Sequence, residues 1–226
     1  MRNLRLFFAT FCVCSFYAFF IGHASATSPK PYAPQEGDVL FQPLPLNELA
    51  AAIEGVTQSR LSHCGAVVSE NGSWQVIEAT SGGVRQTPLA LWLVRGRKGS
   101  VIAMRPDARY AGKIPEFIAA MKSYIGKPYD YRYQMSDDAI YCSELVYKGF
   151  KTATGEEMGR LQKLGDMNWR PHARFIVQME GGPVPKEREM ITPIGLSKAP
   201  QLKEVYRSGT ELDPVVDETV ATPAAR

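Results

Sequence analysis

Two stretches of this sequence carry residue types that could do covalent chemistry together. The first is a pair of β-type runs, His63 to Val68 and Trp74 to Ala79, separated by Ser-Glu-Asn-Gly-Ser. Turn chemistry between two such runs predicts a hairpin. With a four-residue loop, Ser69 to Gly72, Val68 faces Ser73 and, counting outward, His63 lies directly opposite Glu78. Directly opposed residues share a face, with Cβ atoms about 4.5–5.5 Å apart. A carboxylate in that position fixes the tautomer of an imidazole and stabilises its charged form. The same pair would also serve as a plain surface ion pair, and a slip of one residue would separate it.

The second stretch is centred on Cys142, which stands at the start of a helical pattern with Leu145, Val146 and Gly149 on its face and Asp137-Asp138 just upstream. Free N–H groups and the positive dipole end of a helix favour a thiolate over a thiol. They also offer donors to an oxyanion during attack on a carbonyl. A small buried thiol on the apolar face is the other reading of the same residue. Cys64 adjoins His63 on a strand, so its side chain is expected on the opposite face. That argues against a metal site built from the pair and makes Cys64 a core thiol, with a Cys64–Cys142 disulfide as the alternative in an oxidising compartment. His172, in Trp-Arg-Pro-His-Ala-Arg, reads as a solvated loop histidine without a role.

Several elements must hold these residues. Val39 to Phe41 reads as a buried strand between Gly37-Asp38 and Pro43, and Leu46, Leu49 and Ile53 as the face of a short helix stopping at Gly55. Val101 to Arg105 reads as another strand. Pro115 suits the first turn of a helix whose face is Phe117, Ala120, Met121, Tyr124 and Ile125, ending at Gly126. A second helix runs from about Tyr141 to Ala153. Further on, Phe175 to Val177 and Val205-Tyr206 read as strands, and Pro193 as the opening of a short helix. Strands, then helices, then strands predict an α+β domain.

The ends and the composition set the context. Arg2 and Arg5, the apolar run Leu6 to Gly22 and Ala24-Ser25-Ala26 together read as a secretory signal peptide cut near Ala26. Cleavage would leave 200 residues, two cysteines and no integral membrane segment, and would lower the formal charge from +3 to +1 because Arg2 and Arg5 leave. The expected organisation is a signal peptide at 1–26, one domain at 27–208 and a solvated tail at 209–226. So small a charge excludes a nucleic-acid binder, and four cysteines in 226 residues exclude a disulfide scaffold.

The motifs also match a known pattern. Gly37-Asp38-Val39-Leu40-Phe41-Gln42, Ser62-His63-Cys64-Gly65, Val76-Ile77-Glu78-Ala79 and Gly83-Val84 come first. Ile125-Gly126-Lys127-Pro128-Tyr129-Asp130 and Tyr141-Cys142-Ser143-Glu144-Leu145-Val146 follow. This order resembles the circularly permuted papain-like cysteine hydrolases of the YaeF/YiiX kind, relatives of the NlpC-type cell-wall peptidases. The resemblance runs over roughly residues 36–207, with Ile191-Thr192-Pro193 and Leu202 to Tyr206 similar to the closing segment.

The resemblance implies a small antiparallel sheet or half-barrel packed against the nucleophile helix. It implies Cys142 as nucleophile, His63 as general base and Glu78 as the residue that orients the imidazole, with no cofactor and no metal. Tyr129, Asp130, Tyr131 and Tyr141 are expected on the substrate side, one of the tyrosines assisting the Cys142 N–H as an oxyanion donor. Cys64 departs from the aliphatic residue frequent at its position. The expected reaction is acyl transfer through a thioacyl-enzyme. Substrates implied are a peptide amide, with murein peptides in reach of an exported enzyme, or an acyl lipid or ester; a catalytically silent binding protein is the non-enzymatic alternative. An acidic rim beside Cys142 would favour amine-bearing peptides, and a long apolar slot would favour acyl groups.

Overall fold

The computed structural model describes residues 31–213. The proposed signal peptide therefore lies outside the described residues. The elements in chain order are β1 (Val39–Gln42), α1 (Glu48–Thr57), β2 (His63–Glu70), β3 (Ser73–Thr80), β4 (Gly83–Pro88), α2 (Leu89–Arg95) and β5 (Val101–Pro106). They continue with α3 (Ile114–Lys122), α4 (Cys142–Thr154), β6 (Gln162–Lys163), α5 (Ala173–Glu180), β7 (Glu189–Met190), α6 (Pro193–Ser197) and β8 (Leu202–Ser208). The fold is α+β. Six strands form one antiparallel sheet in the order β4-β3-β2-β1-β5-β8, and β6 pairs with β7.

Strand alternation gives the sheet two apolar faces. Phe41, Cys64, Ala66 and Ile77 point into the main core, where α3 and α4 pack, while Leu40, Val67 and Val76 meet Leu89 and Trp92 of α2 on the other side. Helices α3 and α4 approach closely at Gly149, where an added Cβ would lie 2.5 Å from Met121 Cγ. Asp38 is fully buried and ties β1 to β5 through Arg105, with Nε 2.7 Å from Oδ1. Among the described residues no helix is long and apolar enough to cross a membrane.

Three local expectations need correction. The β2–β3 turn has two residues, not four: Glu70 pairs with Ser73, and Asn71 and Gly72 both have positive φ (49° and 76°). That is the twist-matched hairpin turn which Asn-Gly favours. Phe175 to Val177 is helical within α5, because Phe175, Ile176 and Met179 share a helix face and Gly181 closes the helix at φ 67°. Helix α1 passes through Gly55 to Thr57 and is stopped by Gln58 in the left-handed region, and Leu46 stands outside it, exposed.

The ends of the domain also differ. Residues 209–213, expected to begin a solvated tail, are docked. Leu212 packs on the main core, Glu211 pairs with Arg60 and Lys98, and Asp213 accepts from Ser59 Oγ and the Arg60 N–H.

Candidate active site

His63 opens β2 and Cys142 opens α4, so both sit at element ends. The shorter hairpin turn moves the register by two residues, which preserves the face. Gly65, not His63, thus comes to the level of Glu78, and Glu78 reaches His63 diagonally: His63 Nε2 lies 2.6 Å from Glu78 Oε2. Gly65 makes this reach sterically open. A Cβ there would stand 2.6 Å from Val76 Cγ1, 2.8 Å from the Ile77 carbonyl oxygen and 3.2 Å from Glu78 Cβ.

The carboxylate of Glu78 is fully buried and has further partners. Thr87 Oγ1 donates to Oε1 at 2.6 Å, and the Arg95 guanidinium spans both oxygens. Burial would raise the Glu78 carboxyl, but the hydrogen bonds and charges of His63 and Arg95 hold it well below the usual carboxylate range. With Nε2 committed to Glu78, the other edge of the His63 ring serves Cys142. Burial would lower the imidazole, yet the hydrogen bond to Cys142, then that to Glu78 and the two charges, push it up to about 9.

Cys142 is 2 % exposed. Its thiol is held well below the ordinary value, first by the Cys64 side chain, against the opposing effect of burial, then by the hydrogen bond and charge of His63 and the Cys64 backbone N–H. Cys64 is the core thiol that strand alternation predicts, and it has a further role at the site. Alternation turns it away from His63 and towards the face on which α4 packs, where its side chain and backbone N–H bear on the Cys142 thiol. Cys64 is a free, buried thiol, raised by burial and by the adjacent Cys142, and so remains a donor.

The segment before α4 is clamped in place. Val84 N–H donates to the Lys127 carbonyl and Gly126 N–H to the Val84 carbonyl, both at 2.9 Å. Gly83, at φ 86°, allows this approach, since a Cβ would lie 2.5 Å from the Lys127 oxygen. Tyr129 bridges to Ile140, closing the intervening loop. Asp130 is buried and its oxygens accept the N–H groups of Arg132 (2.8 Å) and Gln134, so its contacts fold that loop. The Tyr141 hydroxyl donates to Met135 Sδ and accepts from the Ile191 N–H at 3.1 Å.

Tyr131 borders the cleft described below, and the Tyr129 hydroxyl lies 3.3 Å from that of Tyr133. Tyr133, which sequence reasoning passed over, also borders the cleft, at φ 55°. Burial foremost, and the charge of Cys142 with it, raises both the Tyr129 and Tyr133 phenols, which therefore stay protonated donors. The Tyr-x-Tyr-x-Tyr run of 129–133 was the available signal.

Two further contacts anchor the helix start. Glu144 accepts from the Tyr141 N–H at 3.1 Å and pairs with Lys148 at 2.8 Å, while burial raises it to about 7. Ser143 Oγ donates to the Ile191 carbonyl at 2.9 Å.

A cleft of about 740 Å³, its open mouth included, reaches Cys142 and Ser143. Its walls are apolar: Leu49 and Ile53 of α1, Phe175, Ile176 and Met179 of α5, and Met190. Arg132, Arg188 and Glu180 border it as well, with Arg188 paired to Glu180. His172, expected in solvent, packs on Gly55 so closely that a Cβ there would lie 1.8 Å from its Nε2. It thereby docks the segment leading into α5 against α1.

The chain is similar to known proteins in both sequence and fold. Residues 33–206 match the family described as permuted papain-like amidase enzyme, YaeF/YiiX, C92 family. The chain is 34% identical over 179 residues to the uncharacterized protein YiiX of Escherichia coli (strain K12), covering 78% of this chain and 88% of that protein. It superposes with a TM-score of 0.74, at 33% identity, on the crystal structure described as metalloprotein yiiX from Escherichia coli O157:H7, covering 79% of this chain and all of that one. Among the described residues no three His, Cys, Asp or Glu side chains group as metal ligands. Taken with the helix-borne cysteine that follows the histidine strand in the chain, these matches place the protein in the permuted papain-like amidase family of the YaeF/YiiX kind.

Proposed function

We propose that the protein is a cysteine hydrolase with Cys142, His63 and Glu78 as its triad, and that it cleaves an amide or ester bond next to an apolar, acyl-type group. The carrying observation is the apolar cleft that ends at Cys142, the feature expected to favour acyl groups over amine-bearing peptides. The Cys142 thiolate attacks the carbonyl carbon, and the developing oxyanion meets the Cys142 N–H, which the helix itself does not use. The His63 imidazolium donates its proton to the leaving amine or alcohol. Neutral His63 then takes a proton from water, the resulting hydroxide attacks the thioester, and the acid leaves as the thiolate re-forms. Glu78 keeps the imidazole in the orientation both steps need.

The signal-like N-terminus supports action outside the cytoplasm, in the periplasm or as a secreted protein, where murein peptides also occur. A panel separates the two substrate classes. Long-chain N-acyl amides and acyl esters are expected to turn over faster than murein tri- and tetrapeptides, and Cys142→Ala is expected to abolish turnover and labelling by a thiol-directed acylating probe. Preference for the peptides would overturn the acyl reading, and labelling that survives in Cys142→Ala would move the nucleophile.

A further inference from the structure

Glu78 is held by more than its histidine. Arg95, the last residue of α2, donates from Nη1 to Oε1 at 3.1 Å and from Nη2 to Oε2, a two-pronged pairing that fixes the carboxylate plane. The guanidinium is braced 6.0 Å above the Trp92 ring, and Trp92 in turn lies 6.0 Å from the His63 ring, centroid to centroid. The Arg95 side chain is 27% exposed and Glu78 is fully buried. The pair thus carries no net charge where it meets His63.

This matters because His63 stands between two anionic groups. A bare carboxylate on Nε2 and a thiolate on the other edge would together bind the imidazolium proton so firmly that transfer to a leaving group would suffer. We propose that Arg95 is a positioning residue that neutralises Glu78 and fixes its rotamer, so that the carboxylate orients His63 without over-stabilising its charged form. The proposal rests on the triad reading above. The titratable and charged groups that face this cluster are Cys142 from α4, Cys64 from β2, Arg95 from α2 and Arg85, the cross-strand partner of Glu78 on β4, with the Tyr129 and Tyr133 phenols facing Cys142.

The test is a charge cycle on the purified protein, using Arg95→Met, Glu78→Gln, the double variant and Arg95→Lys. The readouts are kcat, KM and the alkaline limb of the kcat profile, set by His63 in the wild type. Removing the cation leaves an uncompensated carboxylate, so in Arg95→Met the limb moves to higher pH. There kcat falls by about tenfold or more, with KM held to within about twofold. Glu78→Gln leaves a cation facing His63 and moves the limb to lower pH. The double variant replaces a neutral pair with a neutral amide, so its limb returns towards that of the wild type and its kcat exceeds that of either single variant. Arg95→Lys keeps the charge and the limb while losing the two-pronged grip.

Opposite limb shifts in the two single variants are not what a merely structural role produces. The double variant removes both charges together, so it reports even where a single variant folds poorly. Unmoved limbs, or losses that add in the double variant, would overturn the proposal. If Cys142→Ala still reacts with the probe, the triad itself fails; if it does not and Arg95→Met is silent, only the role of Arg95 fails.

Discussion

At the scale of single residues, one sulfur, that of Cys142, is acted on by two chain neighbours. His63 and Cys64 alternate across the sheet, yet both act on Cys142, because the sulfur sits where β2 begins and α4 begins. The imidazole uses one nitrogen on Glu78 and turns its other edge to the thiol. Gly65 is as much a part of this geometry as the proposed triad. Its replacement by Ala is expected to cost about 1–3 kcal/mol of stability by overpacking, since the Ile77 backbone oxygen has little room to yield. It is also expected to lower kcat by displacing Glu78. Urea unfolding and steady-state kinetics on Gly65→Ala check both, and wild-type values for the pair would show that the diagonal reach does not need the glycine.

At the scale of elements, what was readable in the sequence depended on how local the signal was. The helix that carries Cys142 was legible because Leu145, Val146 and Gly149 repeat at helical spacing and Gly155 closes it at φ 76°. The strand carrying His63 was legible for the same kind of reason. The hairpin register is obscured because Ser69 and Glu70 are polar enough to pass for loop, although Asn71-Gly72 is itself the signal of a two-residue turn.

Helix α2 gave no periodic signal, since Leu-Ala-Leu-Trp-Leu-Val-Arg is apolar on every side, and with it Arg95 was hidden. Helix α5 was mistaken for a strand because its apolar residues line a cleft instead of filling the core. That difference has a consequence. Ile176→Gln is expected to raise KM for a long-chain acyl substrate by about tenfold, roughly the transfer cost of a large apolar side chain's contact, and to leave a short acetyl substrate nearly unchanged. Equal effects on both would show that α5 does not bind the acyl chain.

At the scale of the whole molecule, the six-stranded sheet separates the two halves of the chemistry. The main core carries Cys142, the proposed nucleophile, on α4, and the opposite face carries Trp92 and Arg95 on α2, with the strand that begins at His63 between them. The chain order, histidine strand before cysteine helix, is that of the permuted family to which the protein belongs. Such long-range convergence was visible in the sequence only through the resemblance, since no local pattern brings residue 63 to residue 142.

The central claim is that Cys142 and His63 form a thiolate–imidazolium pair. The thiol is lowered, so the thiolate persists as pH falls towards that lowered value, and the imidazole is raised, so its charge persists until pH rises through about 9. The direct measurement is the rate of iodoacetamide alkylation at Cys142 from pH 4 to 10, followed on the separate peptides that contain Cys142 and Cys64. The account requires Cys142 to react at a plateau rate well below the ordinary thiol range, about 8.5, while Cys64 stays unmodified. A Cys142 rate that rises only through that ordinary range, or modification of Cys64 in its place, would contradict it.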